Sequence, residues 1–249
     1  MKRMQSVVLF LLGTLAFIGC TKSEDPSVTS EVSLTMSAAS ADGSTSIGGR
    51  SSIDGRIASN ITITDVKVNF RSIEFVYDRN DDHYKKDSTY REVHDVNLKG
   101  PFIVDLMHSG SFAEKVITLV KIPNAKYEKV KFQIFPSAEN GDMKGKSILI
   151  TGRIGDTPFV FWHSSDPRFE VKFADGSSLK TSGAAFTMAI HFELDKILSK
   201  IKGGADLSLA HDGNNDGTIT IDPLNDDGNK DLANAIMLLI RKYSHLEKK

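Results

Sequence analysis

Residues 61–77 read ITITDVKVNFRSIEFVY, and this stretch decides the fold class. Apolar and polar side chains alternate along most of it, which is typical of a β-strand with one face in a hydrophobic core. The alternation changes phase twice, near Thr64-Asp65 and near Arg71-Ser72, and this pattern indicates either β-bulges or a turn between two strands. The apolar set consists of Ile61, Ile63, Val66, Val68, Phe70, Ile73, Phe75 and Tyr77.

Shorter stretches of the same kind lie on both sides of this segment. Gly155-Asp156 separates two of them, which predicts a tight hairpin. Many short strands with turn residues every 8–12 positions or so indicate a β-sandwich or a barrel. The predicted strands are residues 31–36, 102–106, 116–122, 129–135, 147–154, 159–162, 169–173 and 186–192.

The last third of the chain has helical rather than strand periodicity. Residues 193–201 place apolar side chains at helical spacing, and Gly203-Gly204 follow as a stop signal. Residues 229–246 do the same, with Lys and Arg near the end, and predict an amphipathic C-terminal helix. Its apolar face would consist of Leu232, Ile236, Leu239, Ile240, Tyr243 and Leu246.

Between these two helical stretches, residues 211–228 read HDGNNDGTITIDPLNDDG. Oxygen-bearing side chains at alternate positions, followed by Gly217, resemble the first half of an EF-hand or dockerin-type calcium loop. Calcium prefers six to eight oxygen ligands, and a backbone carbonyl after the glycine supplies one of them. The predicted ligands are Asp212, Asn214, Asp216, Thr218 and Asp222, and the predicted cofactor is a structural calcium ion.

The calcium pattern has departures that leave an alternative open. Pro223 stands where the loop would place its closing carboxylate, and Asp222 comes one residue early. Asp226, Asp227 or Asp231 could close the shell instead. Without a metal, the same residue types form a solvated turn rich in Asn, Asp and Gly.

Composition excludes one class of partner and one source of stability. The 31 basic and 32 acidic residues give a formal net charge of −1, so no broad basic surface points to nucleic acid. One cysteine, Cys20, cannot form an internal disulfide, and the fold must rest on its core.

The N-terminal residues 1–20, MKRMQSVVLFLLGTLAFIGC, explain that cysteine. Lys2 and Arg3 precede an apolar run over residues 7–18, which is shorter than the 20 or so residues a membrane span needs and fits a signal peptide over residues 1–19. Residues 17–20 (FIGC) resemble the lipobox of bacterial lipoproteins, in which the cysteine receives lipid. Acyl chains anchor a protein through about 0.8 kcal/mol per buried CH₂.

The lipobox resemblance implies a protein anchored through Cys20 in the outer membrane, facing either the cell surface or the periplasm. Residues 21–26 (TKSEDP) resemble the surface-export signal of Bacteroidota-type lipoproteins, although a merely polar tether has the same composition. Residues 20–30 therefore read as a lipidated cysteine with a flexible tether. Residues 31–202 would form the β domain, and residues 203–249 the acidic loop and C-terminal helix.

Three stretches together resemble an uncharacterised family of Bacteroidota lipoprotein domains. They are residues 66–77 (VKVNFRSIEFVY), residues 102–107 (FIVDLM) leading into 122–132 (IPNAKYEKVKF), and residues 186–197 (FTMAIHFELDKI). The last has Glu193 where the family usually has Asp. The resemblance implies a mainly β fold, an antiparallel prealbumin-like or immunoglobulin-like sandwich, and it implies no catalytic residues.

Catalytic motifs are absent from the sequence. It has no HExxH pair, no GxSxG elbow, and no Gly-rich phosphate or dinucleotide loop. We therefore expect a non-enzymatic protein, with an acidic hydrolase cleft as the weakest alternative. Trp162 and His163 are candidates for stacking on a glycan, or else for packing between the sheets.

These features favour a membrane-anchored binding or adhesion module, with a glycan or a protein as its partner. The alternative is an accessory subunit of an envelope or fimbrial assembly, which an exposed apolar groove accepting a donor strand would favour.

Overall fold

The computed structural model describes residues 29–40, 43–47, 52–53, 56–57, 60–78, 95–173 and 175–249. The strands are β1 (Thr29–Ala39), β2 (Ser46–Ile47), β3 (Ser52–Ile53), β4 (Arg56–Ile57), β5 (Ile61–Tyr77), β6 (Val96–Asp105), β7 (Met107–His108), β8 (Ser111–Phe112), β9 (Lys115–Pro123), β10 (Lys126–Ile134), β11 (Ile148–Ile154), β12 (Thr157–His163), β13 (Arg168–Lys172), β14 (Leu179–Lys180), β15 (Phe186–Glu193), β16 (Ile219–Ile221) and β17 (Ser244–Lys248). The helices are α1 (Leu194–Leu198) and α2 (Lys230–Lys242), with 3-10 turns at Lys200–Lys202 and Leu207–Leu209.

Strand β5 is the centre of the fold, and it is one continuous strand of 17 residues. Its pairing with β11 skips Thr64, and its pairing with β6 skips Arg71, so a β-bulge lies at each predicted phase change. Each bulge shifts the alternation by one residue and returns the next apolar side chain to the core. All eight predicted apolar residues of β5 are buried, with exposed fractions of 5% or less.

Around β5 the described residues form a nine-stranded sheet. Its main path runs β13-β10-β5-β11-β12-β16, with β10 and β11 on one edge of β5 and with β6 and β2 on the other. A strand this long can hold several shorter strands, because each half of it pairs with different partners on each side.

A second sheet of four strands, in the order β17-β15-β1-β9, covers the first. Residues at alternate positions of β1 and β15, such as Leu34 and Ile190, share one hydrophobic core with Phe70 and Phe132 of the large sheet. The predicted mainly β, sandwich-like fold is thus confirmed. Most pairs are antiparallel, whereas β1–β15 and β12–β16 are parallel.

The predicted hairpin at Gly155-Asp156 is also confirmed. Ile154 pairs with Thr157 across a two-residue turn, and Gly155 adopts a φ of +60° that a residue without a Cβ adopts most easily. In the part of the chain that the structure describes, no helix has the length and hydropathy needed to cross a membrane.

Two helix predictions were wrong in their extent. The predicted helix over residues 193–201 is a short α1 followed by a separate 3-10 turn. The predicted helix over 229–246 ends at Lys242, and the chain then forms β17 beside β15. Leu246 would be buried both in a helix that continues to residue 246 and in strand β17. Helical spacing alone therefore could not distinguish the helix from the strand.

The C-terminal segment completes both sheets. Strand β16 extends the large sheet beyond β12, and β17 lies at the edge of the small sheet. Between them, α2 buries Ala233, Ile236 and Ile240 in the common core. The acidic loop therefore contains one strand of the large sheet, β16, and leads directly into the core helix α2.

Candidate functional site: the acidic loop 211–229

The acidic loop runs from residue 211 to residue 229 and contains β16 near its middle. Ile219 and Ile221 of β16 pair with Phe159 and Phe161 of β12, and both isoleucines are buried. Apart from Pro223 and the exposed Leu224, the remaining loop residues are polar or glycine, so hydrogen bonds must set most of their positions.

The first half of the loop is folded around its own side chains. The carboxylate of Asp212 accepts hydrogen bonds from the N–H groups of Asp216 (3.1 Å) and Gly217 (2.8 Å). Asn214 Oδ1 accepts from the same Asp216 N–H at 2.9 Å, and Asp216 Oδ1 accepts from the Thr218 N–H at 2.8 Å. Side chains at alternate positions thus hold the backbone in a tight turn, which is common for Asp and Asn.

Asp227 ties the two halves of the loop together. Its Oδ1 accepts from the Asn214 N–H at 3.1 Å, and its Oδ2 accepts from the Thr220 N–H at 2.6 Å. The side chain is 2% exposed, so two backbone donors depend on one buried carboxylate. Gly213 packs against the Asp227 backbone so closely that an added Cβ would lie 2.4 Å from the Asp227 carbonyl oxygen.

Asn229 closes the loop, a role that no motif in the sequence predicted. Its Nδ2 donates to the carbonyl oxygens of His211 and Thr220, both at 2.8 Å, and its Oδ1 accepts from the His211 N–H at 3.2 Å. The only sequence signal was an Asn directly before a helix, which suggests an N-cap. The side chain makes no capping hydrogen bond and binds the loop instead.

Asp222 directly follows β16 and is fully buried. Its Oδ1 accepts from the N–H groups of Leu224 (2.5 Å) and Asn225 (2.9 Å). Its Oδ2 is also buried and has no hydrogen-bond partner among the described residues. Among the described loop residues, it is the one buried side-chain oxygen or nitrogen without a hydrogen-bond partner, and leaving such an oxygen unpaired costs free energy.

The predicted calcium ligands fall into two groups. Asp212, Asn214, Asp216 and Thr218 lie in the partly exposed turn, whereas Asp222 is buried. Among the described residues, no three or more Asp, Glu, His or Cys side chains are grouped so that they could hold a metal ion. A cation here would therefore need the Asn214 amide and backbone carbonyl oxygens, which are ligand types that calcium accepts.

Trp162 and His163 lie on opposite faces of β12 and are not brought together. His163 is buried, and its Nδ1 accepts from the Ser165 N–H at 2.9 Å while its Nε2 faces Asn234 Oδ1 at 3.4 Å. Burial lowers the pKa of His163, so the neutral ring is favoured. Trp162 is half-buried, with Lys146 Nζ 5.9 Å from its ring centroid.

A pair of histidines on the small sheet was not singled out from the sequence. His191 of β15 and His245 of β17 pair directly, and their ring centroids are 5.2 Å apart. His191 Nδ1 lies 2.8 Å from Ser37 Oγ, and His245 Nε2 lies 3.2 Å from Glu247 Oε1. Burial lowers the pKa of His191, as do the nearby His245 and Lys249, whereas Glu247 and Glu193 raise it.

Cys20 and the signal peptide, with all of residues 1–28, lie outside the described residues. Comparisons with protein-family models, with curated proteins and with solved structures found no match to this chain.

Proposed function

We propose that this chain is an envelope lipoprotein, anchored in the outer membrane through Cys20, whose β-sandwich is a non-enzymatic binding module. The observation that carries the proposal is the distance between the lipobox and the folded domain. Strand β1 begins at Thr29, nine positions after Cys20. Nine residues reach about 30 Å at most when fully extended, so the sandwich would stand close to the membrane surface.

The tether joins the domain at strand β1, and the position of this strand suits a domain that must withstand force on its anchor. Strand β1 is an interior strand of the small sheet, with β15 on one side and β9 on the other. A force transmitted through the tether would act on a strand that is hydrogen-bonded along both edges. This arrangement suits a module that holds a partner at the membrane.

The use of polar groups in the acidic loop supports a structural role rather than catalysis. Asp212, Asp216 and Asp227 each accept backbone hydrogen bonds, and Asn229 bridges two backbone segments. Side chains engaged in this way shape the loop. A catalytic acid or base would need a side chain directed at a substrate.

We also propose calcium as a structural ligand of this loop. The side chains and carbonyls of the turn are all oxygen donors, and Asp222 contributes a buried oxygen without a described partner. Calcium would supply positive charge for these carboxylates. The carboxylates of Asp212 and Asp227 accept backbone hydrogen bonds and hold the turn in one conformation with or without the ion.

The anchoring proposal is tested in cells with Cys20→Ser and, as a matched control, Ser23→Ala in the tether. We expect the wild type and the control to incorporate radiolabelled palmitate and to sediment with membranes. Cys20→Ser should do neither. Palmitate incorporation that persists in Cys20→Ser would contradict lipidation at this residue.

An accessory subunit of an envelope assembly is the second candidate, and one observation favours it. Val116 and Leu119 of β9 are 59% and 66% exposed, and β9 is an edge strand of the small sheet as described. A photo-cross-linking residue at Leu119, compared with one at the exposed Lys121, tests this candidate. A discrete adduct from position 119 alone supports it, and no adduct from either position argues against it.

A further inference from the structure

A groove of about 330 Å³ lies between the helix α2 and the strand β13. Phe169 and Glu170 line it from the strand, and Leu238, Arg241 and Lys242 line it from the helix. Its volume is at the lower end of the range for ligand sites, which is about 300–1,000 Å³. The groove therefore has room for a short segment of a ligand rather than for a whole domain.

The strand side of the groove is a sheet edge. Within the described ranges, residues 168–172 of β13 pair with β10 and with no other strand, so β13 ends the large sheet. Immediately after β13, a bridge between Phe173 and Leu246 joins the chain to the small sheet. The edge available for pairing is thus short and has a defined end. Edge strands with unpaired N–H and C=O groups are the usual template for adding a peptide strand.

The helix side of the groove supplies positive charge. Among the ion pairs of the described residues, none includes Arg241 or Lys242, and the Lys242 Nζ lies 4.8 Å from the Tyr243 ring centroid. The acidic residue of the groove, Glu170, is engaged by Lys129 at 3.0 Å. Because the whole chain has a formal net charge of −1, this positive site is a local feature.

The same face of α2 also exposes an apolar side chain. Leu238 is 66% exposed, although the helix buries Ile236, Met237 and Ile240. Leu238 precedes Arg241 by three residues, so the two side chains are neighbours on the helix surface. A ligand in the groove would meet cationic and apolar groups side by side.

We propose that this groove binds an extended peptide segment of a partner protein, with acidic and apolar residues on the strand face toward α2, and that the segment adds to β13 as a strand. The strand edge provides main-chain hydrogen bonds, Arg241 and Lys242 bind carboxylates, and Leu238 contacts an apolar side chain. This inference rests on the proposed binding function, since it names the class of partner. It does not depend on lipidation at Cys20.

The test measures fluorescence anisotropy of the full chain in neutral detergent with a labelled octapeptide in which Glu-Glu and Val-Val pairs alternate, so that each strand face carries both residue types. We expect saturable binding that weakens at least about tenfold in the double variant Arg241→Gln/Lys242→Gln. Lys230→Gln, at the exposed start of the same helix, is the matched control and should bind like the wild type. At about 1 M NaCl, where charges are screened beyond about 3 Å, affinity should also fall.

Three further probes separate strand addition from other modes of binding. A peptide with Lys in place of Glu should not bind, and one with Pro at alternate positions should bind weakly because it lacks donors for the strand edge. Equal binding of the Pro peptide, or full competition by free succinate, would reduce the groove to a simple anion site and overturn the proposal. A concentration-dependent dimer that the double variant abolishes would instead assign the groove to a second copy and would also overturn it.

Discussion

Strand β5 and the acidic loop 211–229 are both well-defined parts of one sandwich, yet they are held by opposite means. In β5, eight apolar side chains enter the core and regular backbone pairing forms on both edges. In the loop, β16 contributes two buried isoleucines, and the rest depends on Asp and Asn side chains that bind the backbone.

The difference shows how each region should fail. An apolar strand loses stability in proportion to the volume removed, because neighbours cannot fill the space fully. A polar loop depends on a few acceptors, and losing one of them leaves buried N–H groups unpaired. In β5, the loss of stability should therefore grow with the volume that a substitution removes. In the loop, large losses should be confined to substitutions at one or two residues.

The largest effect is expected in β5. Phe70 is fully buried, and its ring packs edge-on against Phe132 at 5.3 Å between centroids. Phe70→Ala should lower the free energy of unfolding by about 4 kcal/mol, measured by urea denaturation. Thr64→Ala, at an exposed bulge position of the same strand, should change it by less than about 0.5 kcal/mol. Similar losses in both variants would contradict a core role for Phe70.

The next effect is expected at Asp227, which accepts from the Asn214 and Thr220 N–H groups. Asp227→Ala should lower the free energy of unfolding by about 3 kcal/mol, because two backbone N–H donors lose one charged, buried acceptor. Its exposed neighbour provides the matched control, and Asp226→Ala should cost less than about 0.5 kcal/mol. The same denaturation experiment measures both, and equal values would show that the loop does not depend on Asp227.

Calcium provides a third comparison, because it should stabilise the chain through the acidic loop and not through β5. We expect calcium at 100-fold excess over its dissociation constant to stabilise the chain by about 2.7 kcal/mol relative to chelator, because it binds only the folded loop. Asp222→Asn should abolish this gain, because it keeps an oxygen for the Leu224 and Asn225 N–H groups but removes the charge. Equal melting temperatures with calcium and with chelator in the wild type would rule out a structural ion.

The smallest effect concerns pH and the pair His191–His245. Burial holds the pKa of His191 below its usual value of 6.5, so the unfolded chain binds the proton more readily. Stability from this group is therefore present above pH 6.5 and is lost as pH falls through the lowered pKa. The groups around His191 are Ser37, Glu193, Glu114, Glu247 and Lys249 together with His245.

The measurement is the melting temperature between pH 7.5 and pH 5. His191→Gln should flatten this dependence relative to the wild type. The range avoids the carboxyl groups of Glu114 and Asp206, whose lowered pKa values place their loss of stability at more acidic pH. An unchanged slope in His191→Gln would show that another group controls stability in this range.

The predictable part of the fold was the part with a local pattern. Alternation predicted the apolar face of residues 61–77 and the two phase changes, near Thr64 and Arg71, where the structure has bulges rather than a turn. Gly155-Asp156 predicted the hairpin, since all these features depend on neighbouring residues. The parallel pairing of β1 with β15 depends on residues more than 150 positions apart, and no local pattern encodes it.

The candidate site shows the same limit. Alternating Asp and Asn identified the turn at residues 212–216, whereas Asn229 was the first residue of the predicted helix 229–246 and in the structure bridges the His211 and Thr220 backbones. The end of the last helix was missed for a related reason. Residues 244–248 form a strand because β15 is there to pair with them.

The most direct test of the integrated C-terminal segment is amide hydrogen exchange in the wild type and in Asp227→Ala. In the wild type we expect the β16 amides at Ile219 and Ile221 to be protected to nearly the same extent as those of β5. In Asp227→Ala, protection of β16 should fall more than that of β5. Rapid exchange of β16 in the wild type would contradict a loop that is part of the sandwich.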